Sequence, residues 1–192
     1  SETAGAVASS TRAVRGGDDS AGNVIDFVTI ASRGNATDFG NLIETSYGGL
    51  AGCGNETRGL IGGGNIGSGH TNVIQYVTIA SAGDATDFGN LTAARAMTAS
   101  FSSTTRRDLT AGASSATRGL ICNGNASGGA VNIIEYVTIG STGNTTDFGD
   151  ATVTARARGA VSSTIRAVIA GGAATSNAGT AGSYKAGITP SC

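Results

Sequence analysis

The side chains that could carry chemistry in this chain recur at fixed places. An aspartate stands second in the same four letters, Thr-Asp-Phe-Gly, three times, at Asp38, Asp87 and Asp147. An arginine follows a threonine at Arg12, Arg58 and Arg118, and again, with one residue inserted, at Arg166. Carboxylates act as calcium ligands when several oxygens converge, and each copy offers few acidic residues together. A lone aspartate at one position of each copy suits a turn or cap, because its short carboxylate can hydrogen-bond nearby backbone. The arginines are read as partners of those aspartates; the alternative is a ring of positive charge along one rim. Asp-Phe-Gly is also a kinase triplet, but no Gly-rich phosphate loop, partner lysine or catalytic loop accompanies it.

Other chemistries find little material. His70 is the only histidine, so a histidine-based triad or a His-rich metal site has almost nothing to draw on, and no G-x-S-x-G elbow occurs. Cys53, Cys122 and Cys192 lie far apart without C-x-x-C spacing, and read as small residues buried in glycine-rich strands. An enzyme, a cofactor and a metal centre are therefore not expected. The formal net charge is −1 and only 13% of residues are charged, so nothing attracts a phosphate backbone and no nucleic-acid partner is expected. No run of 18 apolar residues occurs, so no membrane span is expected either. Five glycosylation acceptor sequences are present, at Asn35, Asn55, Asn90, Asn125 and Asn144. In a chain rich in Asn, Ser and Thr several of these arise from composition, and use of any requires a secretory route.

The elements that position these residues are repeated too. NVIDFVTIASRGNATDFGNL starts at Asn23, NVIQYVTIASAGDATDFGNL at Asn72 and NIIEYVTIGSTGNTTDFGDA at Asn132, steps of 49 and 60 residues. Each is preceded by a Thr-Arg-apolar-glycine run such as TRGLIGGG at Thr57. An aromatic residue marks the strand that follows, at Phe27, Tyr76, Tyr136 and Tyr184. With 32 glycines, one proline and many Val, Ile and Thr residues, the composition disfavours helices and favours short strands. In NVIQYVTIA both strand faces are largely apolar, which predicts cover on both sides. The whole chain, 1–192, reads as a single repeat domain of units 1–42, 43–91, 92–151 and 152–192. The longer third step places Arg106, Arg107 and Asp108 in an inserted segment, either a solvated loop or a contact loop for a partner.

The order of these landmarks resembles the kelch repeat. That family's unit runs from a glycine pair to a Tyr, a Trp, a Leu and an Arg. Gly63-Gly64, Tyr76, Phe88, Leu91 and Arg95 follow the order, as do Gly124, Tyr136, Phe148 and Arg156, and Gly16-Gly17, Phe27, Phe39 and Leu42. Phe stands where the family has Trp, the step from Tyr to that aromatic is longer, and the first unit has Thr45 near the Arg position. The wording is also similar to kelch-like repeats of phage and other virus-associated structural proteins, including tail-fibre-like chains. The resemblance implies an all-β, kelch-like β-propeller of about four blades built from repeats of about 49 residues. Closure would use the N-terminal segment within one chain, or a strand passed between chains. It further implies a non-enzymatic structural or adhesive module of a virion appendage or extracellular filament. Its partners would be further copies of itself or other virion and filament proteins. The alternative is a carbohydrate-binding propeller that recognises a cell-surface glycan. A copper enzyme of galactose-oxidase type shares the architecture, but needs His and Tyr ligands that this chain does not supply.

Overall fold

A computed structural model describes residues 4–18, 22–96, 112–114, 117–127, 129–156, 159–162 and 167–172. The first unit is an antiparallel meander of four strands, β1 (Gly5–Ala8), β2 (Arg12–Asp18), β3 (Gly22–Thr29) and β4 (Thr37–Ser46), side by side in chain order. The second has β5 (Ala51–Gly54) and β6 (Arg58–Gly62). A small hairpin follows, β7 (Asn65–Ile66) with β8 (Gly69–His70), and then come β9 (Val73–Thr78) and β10 (Thr86–Asn90). Its sheet order is β5-β6-β9-β10. The two-residue β11 (Arg95–Ala96) leaves this sheet and pairs with the second strand of the next. The third unit comprises β12 (Gly112–Ser114), β13 (Arg118–Ala126), β14 (Gly129–Thr138) and β15 (Thr146–Asp150), again a meander. Of the fourth, β16 (Gly159–Ser162) and β17 (Ala167–Ala170) are described, paired antiparallel. Among the described residues there is no helix, and the fold is all-β.

The Thr-Asp-Phe-Gly letters do not make the turn expected of them. They open the fourth strand of each complete sheet and form a β-bulge there. Asp87 faces Gln75 and Gly89 faces Ile74, so Phe88 is the extra residue; Asp147 and Gly149 against Glu135 and Ile134 repeat the step, as do Asp38 and Gly40 against Asp26 and Ile25. A bulge re-aims the inserted side chain. Here it turns Phe39 and Phe88 into buried positions. The bulge also sets the glycine after it at φ +148° in Gly40 and Gly89, a region that side-chain-bearing residues rarely adopt. Asp147 Oδ1 accepts from the Gly149 N–H at 3.1 Å, so the aspartate caps the bulge from one side.

The core lies between sheets. One buried cluster joins Val7, Val14, Ile25, Phe39 and Leu42 of the first unit to Leu50, Ile61, Val77 and Ile79 of the second. A second joins Cys53, Leu60, Ile74, Phe88 and Leu91 to Ile121, Val137 and Ile139 of the third unit. A third joins Leu120, Cys122, Ile134 and Ala151 to Ala167 and Ile169 of the fourth. The sheets of the second and third units therefore have a back face that meets the following unit and a front face that meets the preceding one. The apolar-on-both-faces pattern of NVIQYVTIA follows from this: Ile74 serves the back and Val77 the front, and both are buried. A single sheet of this kind cannot cover its own faces, and stacking does it instead.

Candidate functional site

The recurrent side chains converge on these joints. At the aromatic position, Tyr76 meets Phe88 of its own unit edge to face, with ring centroids 6.1 Å apart. Phe27 with Phe39 and Tyr136 with Phe148 repeat the arrangement at 5.9 and 6.2 Å. The arginine of the neighbouring strand lies over each ring: Arg12 over Phe27 at 4.6 Å, Arg58 over Tyr76 at 4.4 Å, and Arg118 over Tyr136 at 4.7 Å. Ring stacking orients the guanidinium, whose planar fork then has donors to spare.

Those donors reach the next unit. Arg12 Nη1 donates to the Ile79 carbonyl at 3.1 Å and the Ala80 carbonyl at 2.8 Å. Arg58 Nη1 donates to the Ile139 carbonyl at 2.9 Å, one unit further on. The expected pairing of these arginines with the Thr-Asp-Phe-Gly carboxylates is corrected here: Arg12 and Arg58 staple adjacent units through backbone carbonyls. Asp38, Asp87 and Asp147 stand exposed on β4, β10 and β15. Arg166 and Tyr184, like the inserted Arg106, Arg107 and Asp108, lie outside the described residues.

A second element of the joint is the glycine turn that precedes each bulged strand. The Gly83 N–H donates to the Phe39 carbonyl at 2.7 Å, and the Ala85 N–H to the Asn41 carbonyl at 2.8 Å. Asp84 Oδ1 accepts from both the backbone N–H and the side-chain amide of Asn41, at 2.8 and 3.1 Å. One unit later, Gly143 donates to Phe88 at 2.7 Å, Thr145 to Asn90 at 2.9 Å, and Asn144 Oδ1 accepts from the Asn90 N–H at 3.0 Å. The bulged strand is the last of its sheet, and this turn covers its free edge. Unpaired edges invite aberrant pairing, so the cover has a protective value as well.

The third element was not singled out in the sequence. Gln75 Oε1 accepts from the Ile43 N–H of the preceding unit at 2.7 Å. Glu135, at the same place in the third unit, accepts from the Thr92 N–H at 3.0 Å and from the Thr92 hydroxyl. A buried carboxylate requires more than this, and Arg95 supplies it: Arg95 Nη2 lies 2.6 Å from Glu135 Oε2, and both side chains are fully buried. Where the second unit uses a neutral Gln, the residue matching Arg95 is Ser46. The Glu and the Arg therefore come as a set. The signal was present in the aligned repeats as Asp26, Gln75 and Glu135, polar in a strand otherwise apolar on both faces.

Of the acceptor asparagines, Asn35 is exposed and lies in the glycine turn of the first unit. Asn55 Oδ1 caps its own turn, accepting from the Thr57 N–H at 3.0 Å and the Arg58 N–H at 2.9 Å. Asn90 and Asn144 face each other across the second joint, and Asn125 lies within β13. Burial pushes the Cys53 thiol up to about 12. Among the described residues, no group of three or more His, Cys, Asp or Glu side chains stands where it could hold a metal ion, and no helix is long and apolar enough to cross a membrane.

No family model matches the chain, and no curated protein matches it. Among solved structures it is similar to that of YjhT, with a TM-score of 0.71 at 8% sequence identity, over 91% of this chain and 58% of that one. The chain thus spans little more than half the length of that protein. The likeness is one of fold.

Proposed function

We propose that this chain is a non-enzymatic structural repeat module, a kelch-like propeller array of about four blades, working in a virion appendage or an extracellular filament. One observation carries the reading. The side chains that recur most faithfully are engaged in holding one unit to the next: Arg12 and Arg58 staple carbonyls, Phe39 and Phe88 fill joints, and Gly83 and Gly143 close strand edges. Catalytic and ligand-binding sites instead gather polar groups into a concave pocket, using residues the scaffold does not need. The virion or filament setting rests on the kelch-like resemblance of the repeat wording.

Glycan-array binding with the 192-residue chain separates this reading from a carbohydrate-binding propeller. A structural module retains no glycan above background. Saturable binding of one glycan class contradicts the proposal and moves the assignment to cell-surface recognition, in which exposed aromatic residues such as Tyr47 would provide stacking.

A further inference from the structure

Asn123 and Gly124 form the one Asn-Gly pair in the chain. Such a pair carries chemistry of its own. The glycine nitrogen can attack the side-chain carbonyl carbon of the asparagine: a C–N bond closes a five-membered imide, and the side-chain amide leaves as ammonia. Water then opens the imide, either to aspartate or, with the main chain rerouted through the side chain, to isoaspartate. Asparagine and water give acid and ammonia, so no further reactant is needed. Glycine in second place permits the attack because no side chain hinders its nitrogen.

The fold ties down every group that the reaction must move. Asn123 is the extra residue of a bulge in β13, at φ +59°, and among the described residues it alone has a positive φ without being glycine. Gly17 and Gly63 hold the same place in the first two units, at φ +86° and +64°. Asparagine visits that region more readily than most side-chain-bearing residues. Here it is 1% exposed. Nδ2, which must leave, donates to the Val131 carbonyl at 3.0 Å and the Val153 carbonyl at 3.5 Å. The Gly124 nitrogen, which must attack, donates its proton to the Ala155 carbonyl at 3.2 Å. Oδ1 is buried without a donor beside it, so nothing would stabilise the negative charge that the attack builds on that oxygen.

We propose that Asn123 is a deamidation site that the folded third unit keeps closed. The pair reacts when β13 parts from Val131, Val153 and Ala155, and the product bars the unit from closing again. An aspartate presents an oxygen to the two carbonyls that the amide had donated to, in a place with no donor for it. Isoaspartate lengthens the main chain inside the bulge, where the register sets Gly124 opposite Val131. A transient opening of the unit thus becomes a permanent one. Glycine at the matching places of the first two units leaves them without this liability.

Peptide mapping by mass spectrometry, on the 192-residue chain held in mildly alkaline buffer with and without urea, follows the amide at Asn123. Deamidation in buffer is expected to be about a hundredfold or more slower than in urea, because it waits on local opening. Chains held in urea until about half have reacted are then diluted and separated by size. Modified chains are expected in the unfolded or aggregated fraction and intact chains in the folded one. Asn123→Gly, which restores the residue of the first two units, is expected to refold equally well after short and long exposure. The rate comparison uses the parent chain alone, so it decides the matter even if that variant does not fold. Equal rates in buffer and in urea overturn the proposal, as do modified chains that refold as fully as intact ones.

Discussion

Gly83 and Phe39 belong to different units, yet the Gly83 N–H donates to the Phe39 carbonyl at 2.7 Å, and Gly143 and Phe88 reproduce the bond at the same length one unit later. The contact needs glycine on the bulged strand. A Cβ on Gly40 would lie 2.4 Å from the Gly83 carbonyl oxygen, and one on Gly89 would lie 2.2 Å from that of Gly143. Gly149 has the same kind of backbone, at φ +133°, but no described residue stands within 4 Å of its Cβ position. Gly89→Ala is therefore expected to cost about 3 kcal/mol, combining overpacking with backbone strain. Gly149→Ala bears the strain alone, about 1 kcal/mol. Urea unfolding of the two variants measures the difference.

Arg58 works through its shape as much as its charge. It lies 4.4 Å over the Tyr76 ring while reaching the Ile139 carbonyl at 2.9 Å. Arg58→Lys keeps the charge and loses the plane that does both at once. The expected loss is about 1 kcal/mol for Lys and about 2 kcal/mol for Ala, read from chemical denaturation. A lysine variant as stable as the parent would show that charge alone suffices.

The buried pair of Arg95 and Glu135 predicts strong coupling. Glu135→Gln leaves a fully buried guanidinium without its counter-charge, at a cost of about 3 kcal/mol or more. Combining it with Arg95→Ser recreates the Gln75 and Ser46 arrangement of the preceding joint. The double variant is expected to be more stable than the sum of the two single losses by about 2 kcal/mol. Strict additivity in a double-mutant cycle would show that the two residues act independently.

Cys53 supplies a pH test. Its pKa in the fold, about 12 against an ordinary 9.0, is raised by burial. The folded state therefore holds the proton more tightly than the unfolded chain does. The stabilisation is complete below pH 9.0 and is lost progressively as pH climbs towards about 12, where the unfolded thiol ionises and the folded one does not. Cys53→Ala should flatten this alkaline limb in thermal melts. A thiol reagent at neutral pH should leave Cys53 unmodified until denaturant is added, since the thiolate is the reactive form.

Strand content and the places of the strands were legible because Val, Ile and glycine punctuation report local preference. The TRGLIGG and QYVTI runs fall on β6 and β9, and apolar letters on both faces of the latter foretold cover from two sides. What escaped was whatever depends on a partner that has no letter of its own. A bulge at Phe88 exists only relative to the register of β9, so Thr-Asp-Phe-Gly looked like a turn. The acceptors of Arg12 and Arg58 are backbone carbonyls, which every residue carries, so a carboxylate was the natural but mistaken choice. Gln75 and Glu135 escaped because their letters differ while their geometry is shared. The exposure of Val28 and Ile30 was hidden for the opposite reason, since they carry the same letters as the buried Val77 and Ile79.

Amide hydrogen exchange at three equivalent glycines tests the joint most directly. Gly34, Gly83 and Gly143 occupy the same place in successive turns, and among the described residues the latter two bond a preceding sheet. Protection of Gly83 and Gly143 by about a hundredfold or more over Gly34 is the expected result. Equal, unprotected exchange at all three would mean that the units do not hold one another through these turns, and the account built on their joints would fail.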